Sequence, residues 1–384
     1  MRIVFISTIL HYPFGGADKL WTEAAVAAVA DRHDVLIAIS PLTASHPLIK
    51  DLQASGAVVH ERTEHTSDKG RLSRWRRWLL RRVSSPGSLL ARLDRFQPDF
   101  VFVNQGGTYD FLLEDGLTGW LQANQTPFAL ICQSNSESDT LDSVARVTAA
   151  TITGRARHLV FVSHHNRLLA EQQIGRTLPN AIVVHNPVQL LFPTPLAWPV
   201  DSTEARFAVL ARLESRDKGL DILIQSLAGT LGREAGWSLD IYGRGPDEAT
   251  LQSLAGQCGV GNCVHFKGFS TDLRAVWSEH HLLMLPSHRE GCALAMLEAM
   301  RCGRPILATP VGGVSDWIKP GTNGFVAREC SVSALSEAIH ETWSQRGTWP
   351  RMGAASHQIS LLLDPAPGRT LLSLTTSSDR NGPN

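Results

Sequence analysis

The chain has 384 residues, 43% of them hydrophobic, which is enough to bury a large core and to form two domains. Lysine plus arginine and aspartate plus glutamate each total 36, a balance that gives no sign of a nucleic-acid binder. The six cysteines include no C-x-x-C pair, Cys258 and Cys263 being the closest spaced, so they read as reduced thiols of a cytoplasmic protein. No apolar run reaches the ~18 residues of a transmembrane helix, and Met1–Leu10 is too short and strand-like for a signal peptide.

In chain order, Ile3–Leu10 is β-branched and apolar, as suits a central first strand. Gly15-Gly16 marks a turn that admits close backbone approach. Ala17–Ala30 reads as a helix and Val35–Ser40 as the second strand. This βαβ opening lacks the G-x-G-x-x-G fingerprint of dinucleotide binders. Lys69–Phe96 is strongly basic: Leu72, Trp75, Trp78, Leu79 and Val83 share a helical stripe, among Arg71, Arg74, Arg76, Arg77, Arg81 and Arg82. That is the pattern of an interfacial helix on anionic lipid, although a solvated helix with its tryptophans on the domain accounts for it equally well. Strands are expected at Phe100–Val103, Phe128–Cys132, His158–Val162 and Ala181–His185, with polar Asn104, Gln105, Gln133, Ser134 and Asn135 at strand ends.

The proline-rich stretch Pro187–Glu204 reads as an interdomain linker. A second βα series comes next. Phe207–Ala211 is a strand and a helix starts at Gly219, with Arg212 and Lys218 bracketing the loop between them. Two cations at a strand's carboxyl end can hold a diphosphate, arginine by its fork and lysine as a point charge. Leu239–Tyr242 runs into the turn Gly243-Arg244-Gly245-Pro246, and VHFKG ends a further strand at Gly268. Leu282–Pro286 reads as a buried parallel strand, Cys292 to Cys302 as a helix closed by Gly303 and Pro305, and Arg304–Thr309 as the next strand. Glu290 lies at the mouth of that helix and Glu298 eight positions on, roughly two turns. Spacing alone is explained as well by a dipole cap and a solvated surface residue.

The string PSHREGCALAMLEAMRCGRPILAT, residues 286–309, resembles the E-x7-E signature of the family 4 retaining glycosyltransferases. FAVLARLESRDKGLDILIQ resembles that family's G-R-L…K-G-x-D-x-L-I block, with Ala211 in place of the usual glycine. SLDIYGRGPDE and VHFKGFSTDL resemble two further blocks, and the likeness runs from Phe207 to about Trp343. The resemblance implies an α/β GT-B fold, two Rossmann-like domains facing across a cleft. Residues 1–190 would bind the acceptor, 200–346 would bind the nucleotide sugar, and 347–384 would be a tail, partly disordered or returning to the first domain. It further implies that Arg212 and Lys218 contact the donor phosphates and that Gly15-Gly16 faces the diphosphate. Gly243, Gly268 and Phe269 would line the nucleotide. Glu290 would hold sugar hydroxyls and Glu298 the ribose, with Gly291, Cys292, Ala293 and Leu294 completing the donor side. Glu290, Arg212 and Lys218 would carry the catalysis. Relatives often place a His near the reaction centre where this chain has Gln133 and Asn135, so these two are the candidates for the acceptor side.

The expected activity is transfer of a hexose, with retention, from a UDP- or GDP-sugar to a hydroxyl of a lipid-linked or polysaccharide glycan. No D-x-D triplet occurs, and neither metal nor cofactor is called for. Two other readings stand beside this one: a nucleotide-sugar-binding protein without transfer activity, and a sugar-nucleotide epimerase of related fold. The expected location is cytoplasmic, peripheral at the inner face of the membrane through Trp75, Trp78, Arg74, Arg77 and Arg81.

Overall fold

The structure is a computed structural model, and it describes residues 1–62, 88–188, 190, 192–199, 204–232 and 236–377. The basic segment that carries Arg74, Trp75, Arg77, Trp78 and Arg81 lies outside the described residues. The chain divides into two compact units. The first holds Met1–Val162, Asn166–Pro187 and the chain from Ala366 on; the second holds Ser163–His165 and Val188–Pro365.

The first unit is built on seven strands: β1 (Arg2–Ser7), β2 (Asp34–Ile39), β3 (Val58–Glu61), β4 (Phe100–Gln105), β5 (Phe128–Cys132), β6 (His158–Phe161) and β7 (Ala181–Val183). They lie in the order β3-β2-β1-β4-β5-β6-β7, every pair parallel. Because helices cover both faces of such a sheet, its central strands are apolar on both sides. β4 and β5 are buried at every position. The short edge strand β3 is absent from the sequence expectation, since VVHE offers too few apolar positions to register.

The tail that looks broken in sequence contains a helix, Pro367–Ser373. Proline at its first position has no amide to leave unpaired, and Leu371 and Leu372 are buried. This helix lies on Lys19–Ala30 of the same unit, and Arg369 pairs with Asp31 at 2.9 Å. The approach is close enough that a Cβ on Gly368 would fall 2.4 Å from Glu23 Cβ.

The second unit holds β8 (Ala205–Leu210), β9 (Trp237–Tyr242), β10 (Val264–Gly268), β11 (Leu282–Leu285), β12 (Ile306–Ala308) and β13 (Gly324–Val326), in the order β10-β9-β8-β11-β12-β13. All pairs are parallel. Phe207 and Trp237 stack at 6.3 Å in its core, and Trp349 meets the Phe207 ring edge-on at 5.9 Å. The proline-rich segment is fastened to this unit by a fully buried arginine. Arg304 donates to the carbonyls of Leu196 (3.3 Å), Ala197 (2.7 Å), Trp277 (2.9 Å) and Cys302 (3.1 Å), and its guanidinium lies 5.3 Å from the Trp198 ring centroid. Burial lowers its pKa to about 10.

Gly368→Leu should cost about 1–3 kcal/mol, the usual penalty for overpacking a closed contact. Urea unfolding measures this, and an unchanged midpoint would mean that the terminal helix does not hold this seat in solution.

Candidate functional site

In both sheets the strand order reverses beside the first strand, between β1 and β4 and between β8 and β11. Loops that leave the carboxyl ends of such neighbours run in opposite directions and open a crevice where ligands bind.

In the second unit, β8 and β11 pair through Phe207 with Leu282 and Ala208 with Leu283. The loops beyond them, 211–219 and 286–293, are stitched together by backbone. The Asp217 carbonyl accepts from His288 N at 2.8 Å and Arg289 N at 3.3 Å. Gly219 ends the short helix Ser215–Lys218 at φ 58°. A Cβ there would stand 2.1 Å from the Pro286 carbonyl oxygen, so only glycine provides both the left-handed turn and the clearance. This contact fixes the residue before it. Lys218 Nζ donates to Glu290 Oε1 at 2.6 Å, and Ser287 Oγ donates to the same oxygen at 2.8 Å. Ser287 is held in turn by Thr309, whose hydroxyl donates to the Ser287 carbonyl at 2.5 Å. Arg212 pairs with Glu214 at 2.7 Å and with Asp217 at 3.2 Å.

The expected helix begins later than its sequence suggests. Ala293 is extended (φ −60°, ψ 119°) and the helix is Leu294–Arg301, so Glu290 and Glu298 do not share one helical phase. Glu298 is only 4% exposed, which excludes the solvated-surface reading. Gly291 accepts from Gly313 N at 2.6 Å, Cys292 is buried and its thiol pKa is driven upward by that burial, and Ala293 carries no side-chain cap. Gly243 N donates to the Gly268 carbonyl at 2.9 Å, joining the carboxyl ends of β9 and β10. Phe269, beside Gly268, is 69% exposed.

The first unit's edge is a row of amides. Asn104 Nδ2 donates to Ser7 Oγ at 3.5 Å, Gln133 Nε2 to Asn104 Oδ1 at 3.1 Å, and Asn186 Nδ2 to Gln133 Oε1 at 3.0 Å. All four side chains are buried. Gln133 is therefore engaged at both ends of its amide. Asn135 donates to Gln173 at 3.0 Å and accepts from Ser136 N at 2.9 Å. The Gly15-Gly16 loop departs from the expectation in one respect: Gly15 N already donates to Asp18 Oδ2 at 2.9 Å. Asp18 is buried, which raises its pKa, and it also accepts from Trp21 Nε1 at 3.1 Å. Gly16 opens the short turn Gly16–Asp18.

Sequence reasoning overlooks Ser287, Asp217, Glu214 and Thr309. Ser287 sits inside the E-x7-E string and Asp217 directly precedes Lys218, but their roles depend on which loop lies beside which, and spacing does not report that.

Residues 197–358 match the sequence profile of the glycosyl transferases group 1. A GDP-mannose-dependent alpha-(1-6)-phosphatidylinositol monomannoside mannosyltransferase of Mycobacterium tuberculosis is 33% identical over 158 residues, 39% of this chain and 41% of that one. An exopolysaccharide phosphotransferase of Streptomyces coelicolor is 28% identical over 52% of this chain and 21% of its own length. A lipopolysaccharide core biosynthesis mannosyltransferase of Rhizobium meliloti is 27% identical over 47% of this chain and 56% of its own. The match thus spans less than two thirds of each of these relatives. Among solved structures, Anabaena HepE in complex with UDP superposes with a TM-score of 0.74 at 18% identity, over 98% of this chain and 100% of that one. A glycosyltransferase of Rickettsia africae superposes at 0.71 with 14% identity, over 97% of both. The fold is GT-B, with a Rossmann-like sheet in each unit.

Gly219→Ala should destabilise the protein by more than about 1 kcal/mol, since a left-handed residue costs roughly 1–2 kcal/mol even without a clash. Gly256→Ala is the control, because nothing lies within 4 Å of a Cβ there. Equal denaturation midpoints for the two variants would show that the Gly219–Pro286 contact does not constrain the loop.

Proposed function

We propose that the chain transfers a hexose, with retention, from a nucleotide-diphosphate sugar to a hydroxyl acceptor, in keeping with the match of residues 197–358 to the glycosyl transferases group 1. The observation that carries the reading is the convergence of Arg212, Lys218 and Glu290 at the β8–β11 reversal. Breaking the sugar–phosphate bond builds negative charge on the departing β-phosphate. Arg212 and Lys218 oppose that charge, and the N-terminal turn of Leu294–Arg301, with no side-chain cap, adds its dipole. Glu298 takes the ribose hydroxyls and Glu290 the hydroxyls of the sugar. The acceptor hydroxyl attacks the anomeric carbon from the face the diphosphate is leaving. Its oxygen forms the new bond as the carbon–phosphate oxygen bond breaks, and its proton passes to the departing phosphate.

The acceptor class is a lipid-linked or polysaccharide glycan. The activities named for the mannosyltransferase relatives support it, as does the basic Trp-bearing segment from Arg71 to Val83. Among the described residues no helix is long and apolar enough to cross a membrane.

Release of nucleoside diphosphate in the presence of acceptor tests the activity itself. Glu298→Gln should weaken donor binding or turnover about 10-fold or more, since charge-assisted bonds of this kind contribute about 1.5–3 kcal/mol. Arg212→Ala and Lys218→Ala should each lower kcat, because the charge they oppose grows in the transition state; an effect confined to the acceptor KM would refute the phosphate assignment. For the membrane, wild-type protein should sediment with anionic vesicles at low salt, and Trp75→Ser/Trp78→Ser should not. Protein that stays in the supernatant would end the attachment proposal.

A further inference from the structure

We propose that the Lys218–Glu290 ion pair makes the site discriminate between an intact nucleotide sugar and the nucleoside diphosphate left after transfer. The inference rests on the donor-binding reading above. It concerns what the two residues do to each other, which neither a phosphate role nor a sugar role contains.

The pair is short and sheltered: Nζ and Oε1 are 2.6 Å apart, with 19% and 10% of the two side chains exposed. The Lys218 backbone is held on one side by Asp217, whose carbonyl is bonded to His288 N, and on the other by Gly219, seated on Pro286. The Glu290 carboxylate is held by Ser287 Oγ. Loop movement cannot part the two without breaking these contacts. What remains is rotation of the lysine side chain about its flexible four-carbon stem.

A diphosphate that draws Nζ toward itself therefore takes the cation away from Glu290. A sheltered carboxylate that has lost its cation is costly, and binding must bear that cost. An intact donor repairs it, because sugar hydroxyls on the β-phosphate donate to Glu290 as the lysine leaves. A nucleoside diphosphate carries no such hydroxyls, and the cost stands. The donor is thereby favoured over the spent nucleotide, which leaves more readily. Arg212 pairs with Glu214 and Asp217 of its own loop.

The experiment measures dissociation constants by calorimetry for UDP against UDP-glucose and GDP against GDP-mannose, in wild type and Glu290→Gln. Glu290→Ala stands beside it should the amide variant not fold, as judged by thermal unfolding. Removing the charge frees Lys218 from its competitor, so the nucleoside diphosphate should bind about 5-fold tighter or more, while the sugar nucleotide binds no tighter. The ratio of the two constants should fall about 10-fold, a span equal to the loss of a single good polar contact. Nucleoside diphosphate affinity that is unchanged or weakened in a folded variant overturns the inference and leaves the donor reading intact. Absence of binding by all four nucleotides to wild type overturns the donor reading, and the inference with it.

Discussion

Everything proposed for the second unit depends on one adjacency: β8 lies beside β11, although more than seventy residues separate them. The loops after those strands must then share the same space. The fit is met by backbone, through the Asp217 carbonyl on the amides of His288 and Arg289 and through the bare Cα of Gly219 on Pro286. Side chains are secondary to this. Once the two loops are locked, Lys218 and Glu290 face each other, Ser287 falls beside them and Arg212 is left to Glu214 and Asp217.

The locked loops also settle how charge is handled. Arg212 and Lys218 are both matched by carboxylates, so neither is a bare cation waiting in a low-dielectric pocket. A site that kept two unmatched positive charges at close quarters would destabilise its own fold. The matched arrangement sets the two cations against three carboxylates, Glu214, Asp217 and Glu290. The first unit handles polarity differently. Ser7, Asn104, Gln133 and Asn186 are joined in a row of neutral groups, which ties the carboxyl ends of β1, β4 and β5 to one another, while the buried Arg62 donates to the Ser7 carbonyl and pairs with Glu114.

How much of this can be read from sequence varies with the range of the interaction. β4, β5 and β11 announce themselves as apolar runs, and the glycosyltransferase resemblance rests on contiguous letters. The Leu294–Arg301 helix starts two residues later than its composition indicates, because Cys292 and Ala293 suit a helix but are pulled out of it by the Gly291–Gly313 bond. The helix Pro367–Ser373 is obscured for a similar reason. Its Pro and Gly disfavour a helix in isolation, and its support is the surface of Lys19–Ala30, more than three hundred residues earlier. The Gly15 amide reads as a ligand donor because nothing in the letters says that Asp18 turns back to take it. Each miss is a contact between residues or loops whose meeting the local pattern does not encode.

Arg304 is a cation anchored by dipoles instead of by an acid, and that choice sets how the anchor responds to pH and to substitution. Its hydrogen bonds end on main-chain carbonyls of Leu196, Ala197, Trp277 and Cys302. Carbonyls do not titrate, so acidification protonates no partner of this anchor. Nor would a lysine substitute, since a single ammonium has three donors and no flat face to lay on Trp198, whereas the guanidinium spreads five donors in one plane. The proline-rich segment is thus held to the second unit by a device tied to one residue type and indifferent to acid.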